Sequence, residues 1–453
     1  MIKDLCFEII ETCLNNCIFC SSNSNCNKTK IIEFADIKRV LDYFVSKGGI
    51  GELSLSGGEP FLHHDLLKIV AYAKSLGIKT VIFTSGVMYN SISNTEKEHL
   101  QLEMQQRLKD INLHEPDNTF LKDRVANFYN GMINQPNIGS LSKEMLQQLK
   151  SLGLDKIVFD YQAYCYDTDH LLMGRKEINR QALLKSLITA SSIGLNVDVH
   201  FVPMKPNYQE ITDILEMLEI AEIKNISILN FIPQGRGRIN QDRLQLNVCE
   251  LHEFFELLNR AKKVYSGNIR LGISLQGNST HKCNAGLEKL DIKFDGKVLP
   301  CPAFKEITEE ECQKYNIKLP NIYTNLEDVN IPGIGTRVIP LCQEIYLKRS
   351  INPEEYGRIV SAALLHDNCI YISKKGHYDI FTMEPIGVLR NASQGFVTEY
   401  GYFVDRKIGL LIAEYYNQIE FKYPPLDSLN SEDLKKENIQ VLRRVNKYTY
   451  KEK

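Results

Sequence analysis

The chain of 453 residues is longer than one average domain, so its length favours a large domain with one or two smaller units. Its 43% hydrophobic and 24% charged residues are ordinary for a globular protein and exclude a disordered or fibrous chain. The 54 Lys and Arg residues nearly balance 56 Asp and Glu residues, so the net charge of −2 offers no broad basic surface to nucleic acid. No apolar run approaches the ~20 residues of a membrane span, and the N-terminus lacks a signal-peptide core. We therefore expect a cytoplasmic protein with no membrane partner.

The first 240 residues alternate between apolar strand patterns and helical patterns. The predicted strands cover residues 5–10, 52–56, 78–84, 156–161, 195–202 and 225–231. Asn207 and Glu210 have the spacing of a reciprocal N-cap, which predicts the start of the helix before the sixth strand. Six such units in series predict an α/β fold, a partial (β/α)6 TIM-like barrel with a smaller α+β C-terminal extension. In such folds the active site lies at the carboxyl ends of the strands.

An insertion at about 87–140 interrupts this alternation after the third strand. Residues 96–111 within it have the pattern of a polar helix. Because the insertion leaves the edge of the sheet where the active site is expected, it is either a lid or a surface excursion, which loops tolerate well.

A different pattern begins near residue 270. Residues 291–299 predict a β-hairpin with Asp295-Gly296 as its two-residue turn. Cys283 precedes this hairpin and Cys301 follows it, so pairing of the two arms would bring both cysteines toward one end. We predict three parts: a barrel domain at 1–240, an extension at 241–345, and a region of unknown role at 346–453.

Three cysteines follow the first predicted strand within eight residues, as Cys13-x3-Cys17-x2-Cys20. In a reducing compartment such a group favours metal binding over disulfide formation. Gly57-Gly58-Glu59-Pro60 follows the second strand, at the same predicted edge of the sheet. A structural zinc site with Cys26 as the fourth ligand is the alternative that the cysteine spacing leaves open.

The three cysteines and the Gly-Gly-Glu-Pro segment together resemble the radical SAM (S-adenosylmethionine) superfamily. The resemblance implies that Cys13, Cys17 and Cys20 hold three irons of a [4Fe-4S] cluster, while the fourth iron binds S-adenosylmethionine. A cluster with one open position suits ligand binding, whereas a cluster with four cysteine ligands is closed. The resemblance further implies reductive cleavage of S-adenosylmethionine to a 5′-deoxyadenosyl radical, which abstracts hydrogen from a substrate. An electron donor such as flavodoxin or ferredoxin would supply the electron.

The same resemblance suggests residues that contact S-adenosylmethionine. Residues 57–60 would contact its amino group, Phe19 would lie near the adenine, and Asp160 near the ribose or carboxylate. Arg175 would pair with the carboxylate, the alternative for this residue being a surface salt bridge. The full set of suggested cofactor contacts is Phe19, Gly57, Gly58, Glu59, Pro60, Thr84, Ser85, Asp160, Arg175 and Arg236.

The cysteines around the hairpin resemble the start of a SPASM or twitch extension, which carries auxiliary iron–sulfur clusters in many members of the superfamily. This implies a second [4Fe-4S] cluster held by residues from the set Cys283, Cys301, Cys312 and Cys342. The C-x2-C-x5-C-x3-C run that ends a full SPASM region is absent from the sequence. The alternative is a hairpin whose cysteines pack as small apolar side chains.

The substrate class follows from the resemblance alone. A radical SAM core with a SPASM-like hairpin resembles enzymes that modify ribosomal peptides. Two alternatives stay open: a radical enzyme acting on a small molecule such as a nucleotide or cofactor precursor, and a non-catalytic metal-binding adaptor that kept the barrel.

Overall fold

The computed structural model describes most of the chain, in segments. These are residues 1–90, 94–134, 137–272, 284–324, 353–366, 369–373, 375–385, 387–389, 392–423, 428–435 and 449–452, with single residues 275, 326, 342 and 345. The chain divides into two units, Met1–Gly335 and Thr336–Lys453. The predicted three-part division differs from this one and remains a prediction.

The first unit contains eleven described strands. In chain order they are β1 (Ile2–Ile10), β2 (Ile50–Gly57), β3 (Lys79–Thr84), β4 (Val87–Asn90), β5 (Asn137–Ser140), β6 (Lys156–Asp160), β7 (Val197–Phe201), β8 (Asn225–Ile228), β9 (Asn268–Leu271), β10 (Lys289–Ile292) and β11 (Val298–Leu299). Nine of them form one sheet in the order β11-β10-β1-β2-β3-β6-β7-β8-β9. Every neighbouring pair is parallel except β10 and β11. This confirms the predicted α/β fold, and within the described residues the sheet is open, with β11 and β9 at its two ends.

Helices follow the strands in regular succession. In chain order they are α1 (Phe34–Ser46), α2 (Leu66–Ser75), α3 (Asn94–His114), α4 (Thr119–Asn134), α5 (Lys143–Ser151), α6 (Tyr166–Met173), α7 (Glu177–Ser192), α8 (Ile211–Ile220), α9 (Arg236–Ile239), α10 (Gln241–Leu244), α11 (Val248–Ala261) and α12 (Glu309–Lys314). Helix α1 illustrates their packing, because Ile37, Val40, Leu41 and Phe44 recur at helical spacing and are buried. The helix ends before Gly48, whose φ of 120° is disfavoured for other residues.

The two faces of the sheet differ in polarity. Successive side chains of a strand point to opposite faces, so Leu5, Phe7 and Ile9 of β1 share the face in the main hydrophobic core. Cys6 and Glu8 lie on the other face of the same strand. The sheet therefore has an apolar face toward the helices and a face with titratable residues below its carboxyl edge.

The insertion forms a separate structure at the end of β3. Strands β4 and β5 pair as a two-stranded antiparallel ribbon, and α3 and α4 lie between them in the sequence. The polar helix predicted at 96–111 is confirmed and is longer at both ends. Leu102, Leu113 and Phe120 of these helices are exposed, at 65%, 77% and 71%. The choice between a lid and a surface excursion remains open.

The predicted hairpin is confirmed, with a longer turn than expected. Strands β10 and β11 are antiparallel, and the Lys293 amide donates to the carbonyl of Lys297, so residues 294–296 form the turn. Gly296 has a φ of 83°, which favours glycine. Strand β10 also pairs in parallel with β1, in register from Asp4 with Lys289 to Phe7 with Ile292. The segment predicted to begin the extension is thus part of the barrel sheet.

The second unit is a mixed α/β structure with its own core. Its described strands are β12 (Ile359–His366), β13 (Cys369–Ser373), β14 (Ser393–Thr398), β15 (Phe403–Asp405) and β16 (Thr449–Glu452), and its helices are α13 (Pro353–Tyr356), α14 (His377–Phe381) and α15 (Arg406–Tyr415). The strands form one sheet in the order β15-β14-β12-β13-β16. Leu364, Phe396 and Ile412 are fully buried in a core between this sheet and α15.

None of the helices in the described segments has both the length and the hydropathy required to cross a bilayer.

Candidate active site

The three clustered cysteines lie in the loop after β1 and line a cavity of about 350 Å3 at the carboxyl edge of the sheet. Backbone hydrogen bonds fix this loop to two other segments of the chain. The Cys13 amide donates to the carbonyl of Asn25 at 3.2 Å, and the Ile18 amide donates to the carbonyl of Leu172 at 2.9 Å. The thiol positions are therefore set by the fold around them.

Burial controls the protonation of these thiols. The pKa of Cys13 is raised to about 12, chiefly by burial and to a smaller extent by the nearby carboxylate of Glu59. Burial also raises the pKa of Cys17 well above its usual value. Without a metal the two thiols are therefore protonated at neutral pH, and metal binding would release their protons.

The geometry disfavours the zinc alternative. Cys26 is exposed, and its Sγ lies 3.8 Å from the Asn27 side-chain oxygen. A tetrahedral zinc ion at about 2.3 Å from each sulfur requires the sulfurs to lie close together. Among the described His, Cys, Asp and Glu residues, the only group of three with ligand atoms within 4.8 Å of one another is Glu33, His64 and Asp65, which includes no cysteine.

Two glycines allow the end of β2 to approach the cysteine loop. Gly57 and Gly58 line the cavity, as the sequence predicted for cofactor contacts. A Cβ atom on Gly58 would lie 2.0 Å from the Thr12 carbonyl oxygen, and one on Gly57 would lie 2.2 Å from that of Ile10. Any other side chain at these positions would separate β2 from the loop that carries Cys13.

Glu59 binds the neighbouring strand and does not line the cavity. Its buried carboxylate accepts hydrogen bonds from the Thr84 hydroxyl at 2.8 Å and from the amide and hydroxyl of Ser85 at 2.7 and 2.5 Å. The Phe61 amide donates a fourth bond at 3.2 Å. Pro60 is buried and begins a short 3₁₀ turn. The predicted contact residues Glu59 and Pro60 thus fix the end of β2 to the end of β3.

Four more predicted contact residues line the cavity: Phe19, Thr84, Ser85 and Asp160. Asp160 lies at the end of β6, and burial raises the pKa of its carboxyl although the Arg175 guanidinium lowers it. The Gln162 side-chain amide donates to this carboxylate.

Arg175 is fully buried, so the alternative of a surface salt bridge is wrong. It donates to the Asp169 carboxylate at 3.0 Å and to the carbonyls of Ser85 and Asp160 at 3.0 and 3.3 Å. Because those carbonyls end β3 and β6, the guanidinium links two strands and α6 below the cysteine loop. The Nε atom of Arg175 has no hydrogen-bond partner within the described structure.

Arg236 contacts the cysteine loop from α9. Its Nε donates to the Cys17 carbonyl at 2.7 Å, and its Nη2 donates to the Ser24 carbonyl at 2.8 Å. Its backbone amide donates to the Cys20 carbonyl at 3.0 Å. Arg236 therefore holds the loop that presents the cysteines, and its guanidinium is engaged with the protein itself.

Three buried polar residues that the sequence analysis missed also line the cavity. Asn15, Ser24 and Gln234 are at most 3% exposed, and side-chain atoms of each lack a hydrogen-bond partner in the described structure. Buried polar atoms are normally paired, so these atoms mark contacts for a polar ligand. Asn15 lies between Cys13 and Cys17 in the sequence, a position that is itself a signal for a ligand contact. Its backbone hydrogen bond lowers the pKa of Cys13 against the larger effect of burial.

Two titratable residues complete the lining. Burial, with smaller contributions from the charges of Arg270 and Lys156, lowers the pKa of His200 to about 3, so the imidazole is neutral. Lys305 reaches the cavity from the segment after β11. No spacing pattern predicts either residue, because one lies within a strand and the other far along the chain.

The cysteines predicted for an auxiliary cluster are only partly described. Cys301 precedes the 3₁₀ turn Pro302–Phe304 and Cys312 lies in α12, both half-buried in the first unit. Cys342 belongs to the second unit, and Cys283 lies outside the described residues. The auxiliary cluster remains a prediction.

Two family models match the chain. Residues 7–129 match the radical SAM superfamily, and residues 358–435 match the phage T4 y16D protein family. The first match spans the cysteine loop, the Gly-Gly-Glu-Pro segment and the end of β3, which are the elements that build the cavity. This match confirms the predicted resemblance to the radical SAM superfamily and supports an enzyme of this class, and the family implies a [4Fe-4S] cluster and S-adenosylmethionine.

Relatives differ in the substrates that their names give. A probable GTP 3′,8-cyclase of Saccharolobus islandicus is 22% identical over 315 residues, which cover 66% of this chain and 82% of the relative. The PqqA peptide cyclase of Bradyrhizobium diazoefficiens is 22% identical over 331 residues, covering 71% and 73% of the two chains. The structure of Streptococcus suis SuiB bound to its precursor peptide SuiA is similar with a TM-score of 0.52 at 17% identity, covering 74% of this chain and 67% of SuiB. The similarity to SuiB concerns the fold alone.

Proposed function

We propose that the chain binds a [4Fe-4S] cluster through Cys13, Cys17 and Cys20, binds S-adenosylmethionine in the same cavity, and acts on a ribosomal peptide. One observation carries this proposal: three thiols and the unpaired polar atoms of Asn15, Ser24 and Gln234 line one cavity at the carboxyl edge of a parallel sheet. Cysteine thiolates are the ligands of iron–sulfur clusters, and the unpaired amide and hydroxyl groups suit a ligand rich in polar atoms.

When bound, the cluster and S-adenosylmethionine supply an electron and a 5′-deoxyadenosyl radical that removes hydrogen from the substrate. The protein itself positions the cluster and S-adenosylmethionine and excludes water from the cavity. Arg236 and the segment at Leu172 fix the cysteine loop, while Phe19 and Phe231 present aromatic surface to the cavity. Asp160 offers a buried carboxylate to a hydroxyl or ammonium group of the ligand.

The names of the relatives support the choice of a peptide. The PqqA peptide cyclase acts on a peptide, and SuiB binds the precursor peptide SuiA. The GTP 3′,8-cyclase relatives favour the second candidate, a small molecule such as a nucleotide. In either case we expect a flavodoxin or ferredoxin as electron donor, and a cytoplasmic location where such donors and reduced thiols occur.

The proposal is tested by iron analysis of anaerobically purified protein. Changing Cys13, Cys17 and Cys20 together to Ala should remove about four irons per chain, because each cubane cluster holds four. Formation of 5′-deoxyadenosine from S-adenosylmethionine and dithionite should be lost in the same variant. Cys26→Ala is the matched control and should retain both, because its thiol is exposed and outside the cavity lining. Cleavage that survives in the triple variant would contradict the assignment.

The same measurement addresses the auxiliary cluster and the substrate. About four irons remaining in the triple variant, and lost when Cys301 and Cys312 are also changed, would support a second cluster. Four irons in the wild type and none in the triple variant would make the hairpin cysteines structural. Two candidate substrates can then be compared in this assay: a short peptide encoded by a neighbouring gene, and GTP. The true substrate should transfer its hydrogen, or a deuterium label, into 5′-deoxyadenosine.

A further inference from the structure

A cluster of buried titratable side chains lies beside the cavity, and of its members only Lys305 has been described above as part of the cavity lining. It consists of Cys6 and Glu8 on β1, Asp291 on β10, and Lys305 from the segment after β11. The register places Cys6 directly opposite Asp291. Glu8 and Asp291 are both 0% exposed, whereas Lys305 lines the cavity.

Hydrogen bonds connect this cluster to the cavity. The Lys305 ammonium donates to Glu8 at 2.6 Å, to the Ser22 hydroxyl at 2.9 Å and to the Ser21 hydroxyl at 3.2 Å. The Ser22 hydroxyl in turn donates to the same Glu8 oxygen at 2.5 Å. Ser21 and Ser22 line the cavity with Lys305, so a continuous path runs from the cavity through Ser22 to Glu8.

The cluster has more carboxylate than its cation can balance. Two buried carboxyl groups face one ammonium. Within the described structure, Glu8 Oε2 and both oxygens of Asp291 have no N–H or O–H partner, and the Cys6 thiol that faces Asp291 is a weak donor. A buried unpaired charge is costly, so such a site holds a proton instead. The pKa of Asp291 is raised to about 7, chiefly by burial and also by the Glu8 carboxylate, against the lowering effects of Lys305, of the facing Cys6 thiol and of Lys293.

A metal ion is a poor occupant of the cluster. The ligand atoms of Cys6, Glu8 and Asp291 are not among the described groups that lie within 4.8 Å of one another. The Lys305 ammonium already occupies one oxygen of Glu8. A proton needs no such convergence of ligands.

We propose that Glu8, Asp291 and Lys305 form a proton-accepting site that takes up a proton from the substrate in the cavity by way of the Ser22 hydroxyl. The inference rests on the proposed function, because it takes the cavity to be the place where the substrate reacts. In this step the substrate loses a proton from an N–H or O–H group to Ser22 Oγ, while the Ser22 hydroxyl proton moves to Glu8. The electron pair of the broken bond stays on the substrate, and Asp291 shares the stored proton with Glu8.

The experiment is an infrared pH titration of the cluster-loaded, full-length protein from about pH 5 to about pH 9. The wild type should show a carboxyl C=O band that disappears as the pH rises through about 7. Asp291→Asn should lose this band. Asp198→Asn is the matched control, a buried carboxyl on β7 outside the cluster, and should keep it. A spectrum that does not change in Asp291→Asn would overturn the proposal.

Transfer to D2O tests the path through Ser22. Exchange of the carboxyl proton should be slower by about tenfold or more in Ser22→Ala and restored in Ser22→Thr, which keeps a hydroxyl. If Asp291→Asn is unstable, Glu8→Gln offers a second variant, in which the titration should shift. Equal exchange rates in the wild type and Ser22→Ala would overturn the path. Iron and 5′-deoxyadenosine measured on the same wild-type sample report separately on the proposed function.

Discussion

Glu59 belongs to the segment that was predicted to bind the cofactor, yet its carboxylate stabilises the protein's own structure. Four donors surround its two carboxylate oxygens, and all of them come from the loop itself or from the end of β3. Hydrogen bonds to charged groups are worth about 1.5–3 kcal/mol each, more than neutral ones. The carboxylate thus fixes two adjacent strand ends beneath the cavity.

Replacing Glu59 by Gln should therefore destabilise the protein. The amide NH2 group would face a donor on Ser85 or Thr84, which leaves at least one buried donor unpaired. We expect a loss of about 2 kcal/mol in the free energy of unfolding, measured by urea denaturation. Glu52→Gln, in strand β2 before this segment and half-buried, is the control and should change stability by less than about 0.5 kcal/mol. Equal stability of the two variants would contradict this role of Glu59.

At the residue scale, local motifs such as the cysteine spacing could be identified from the sequence, whereas the contacts that hold these motifs in place could not. The spacing of Cys13, Cys17 and Cys20 is local, so it can be recognised in the sequence without a structure. Arg236 contacts Cys17 across 219 positions, and Lys305 contacts Ser22 across 283. Such pairs depend on the complete fold, and a side chain with several donors gives no local sign of its partner.

The cysteine loop is held by elements from distant parts of the sequence. The backbone at the end of α6 accepts hydrogen bonds from the amides of Asn16 and Ile18, and α9 contributes Arg236. Residues that orient metal ligands from behind typically affect metal affinity by 10- to 100-fold. The short helices α6 and α9 are therefore part of the proposed cluster site although they carry none of its cysteines.

Arg236→Lys should weaken the binding of iron at the loop. A lysine has a single nitrogen and cannot bond the carbonyls of Cys17 and Ser24 with the geometry of a guanidinium. We expect about 10- to 100-fold weaker retention of iron in competition with a chelator. Arg238→Lys is the control, because this neighbour is half-exposed and forms only a surface ion pair with Glu306. Retention that is the same in both variants would show that Arg236 does not support the loop.

The elements themselves were largely predictable because their patterns are local. All six predicted strands of the barrel are present, with ends that differ by a few residues. The predicted N-cap pair is wrong: the Asn207 side chain accepts from the Met204 amide, and Glu210 accepts from the amides of Tyr164 and Cys165. Spacing alone cannot distinguish side chains that cap a helix from side chains that form hydrogen bonds with another loop. The sequence did not predict helix α6, because a helix of only eight residues gives a weak signal of hydrophobic periodicity.

The whole molecule consists of two units with separate hydrophobic cores. The main core extends through the first unit, and the core of the second unit is formed by residues after position 350. The phage T4 y16D match lies entirely within the second unit. A unit with its own sheet, core and family match has the attributes of an independent domain.

We expect a chain truncated after Gly335 to remain folded and to retain the iron bound by the cysteine loop. All residues that line the cavity lie within the first unit, so its chemistry should not require the second. The measurements are iron content, 5′-deoxyadenosine formation and cooperative urea unfolding, with the full chain as reference. A truncated protein that is insoluble or free of iron would show that the two units depend on each other for folding.

The pairing of β1 with β10 has a consequence for the order in which the active site is completed. Strand β1 carries the cysteine loop, yet its neighbour β10 follows it by about 280 residues in the sequence. At synthesis rates of about 5–20 residues per second, one edge of β1 stays unpaired for roughly 15 to 60 s. During that interval a strand with an apolar face is open to pairing with other chains. The cavity is therefore complete only after β10 and Lys305 have been synthesised, and slower production at low temperature should raise the yield of correctly loaded protein.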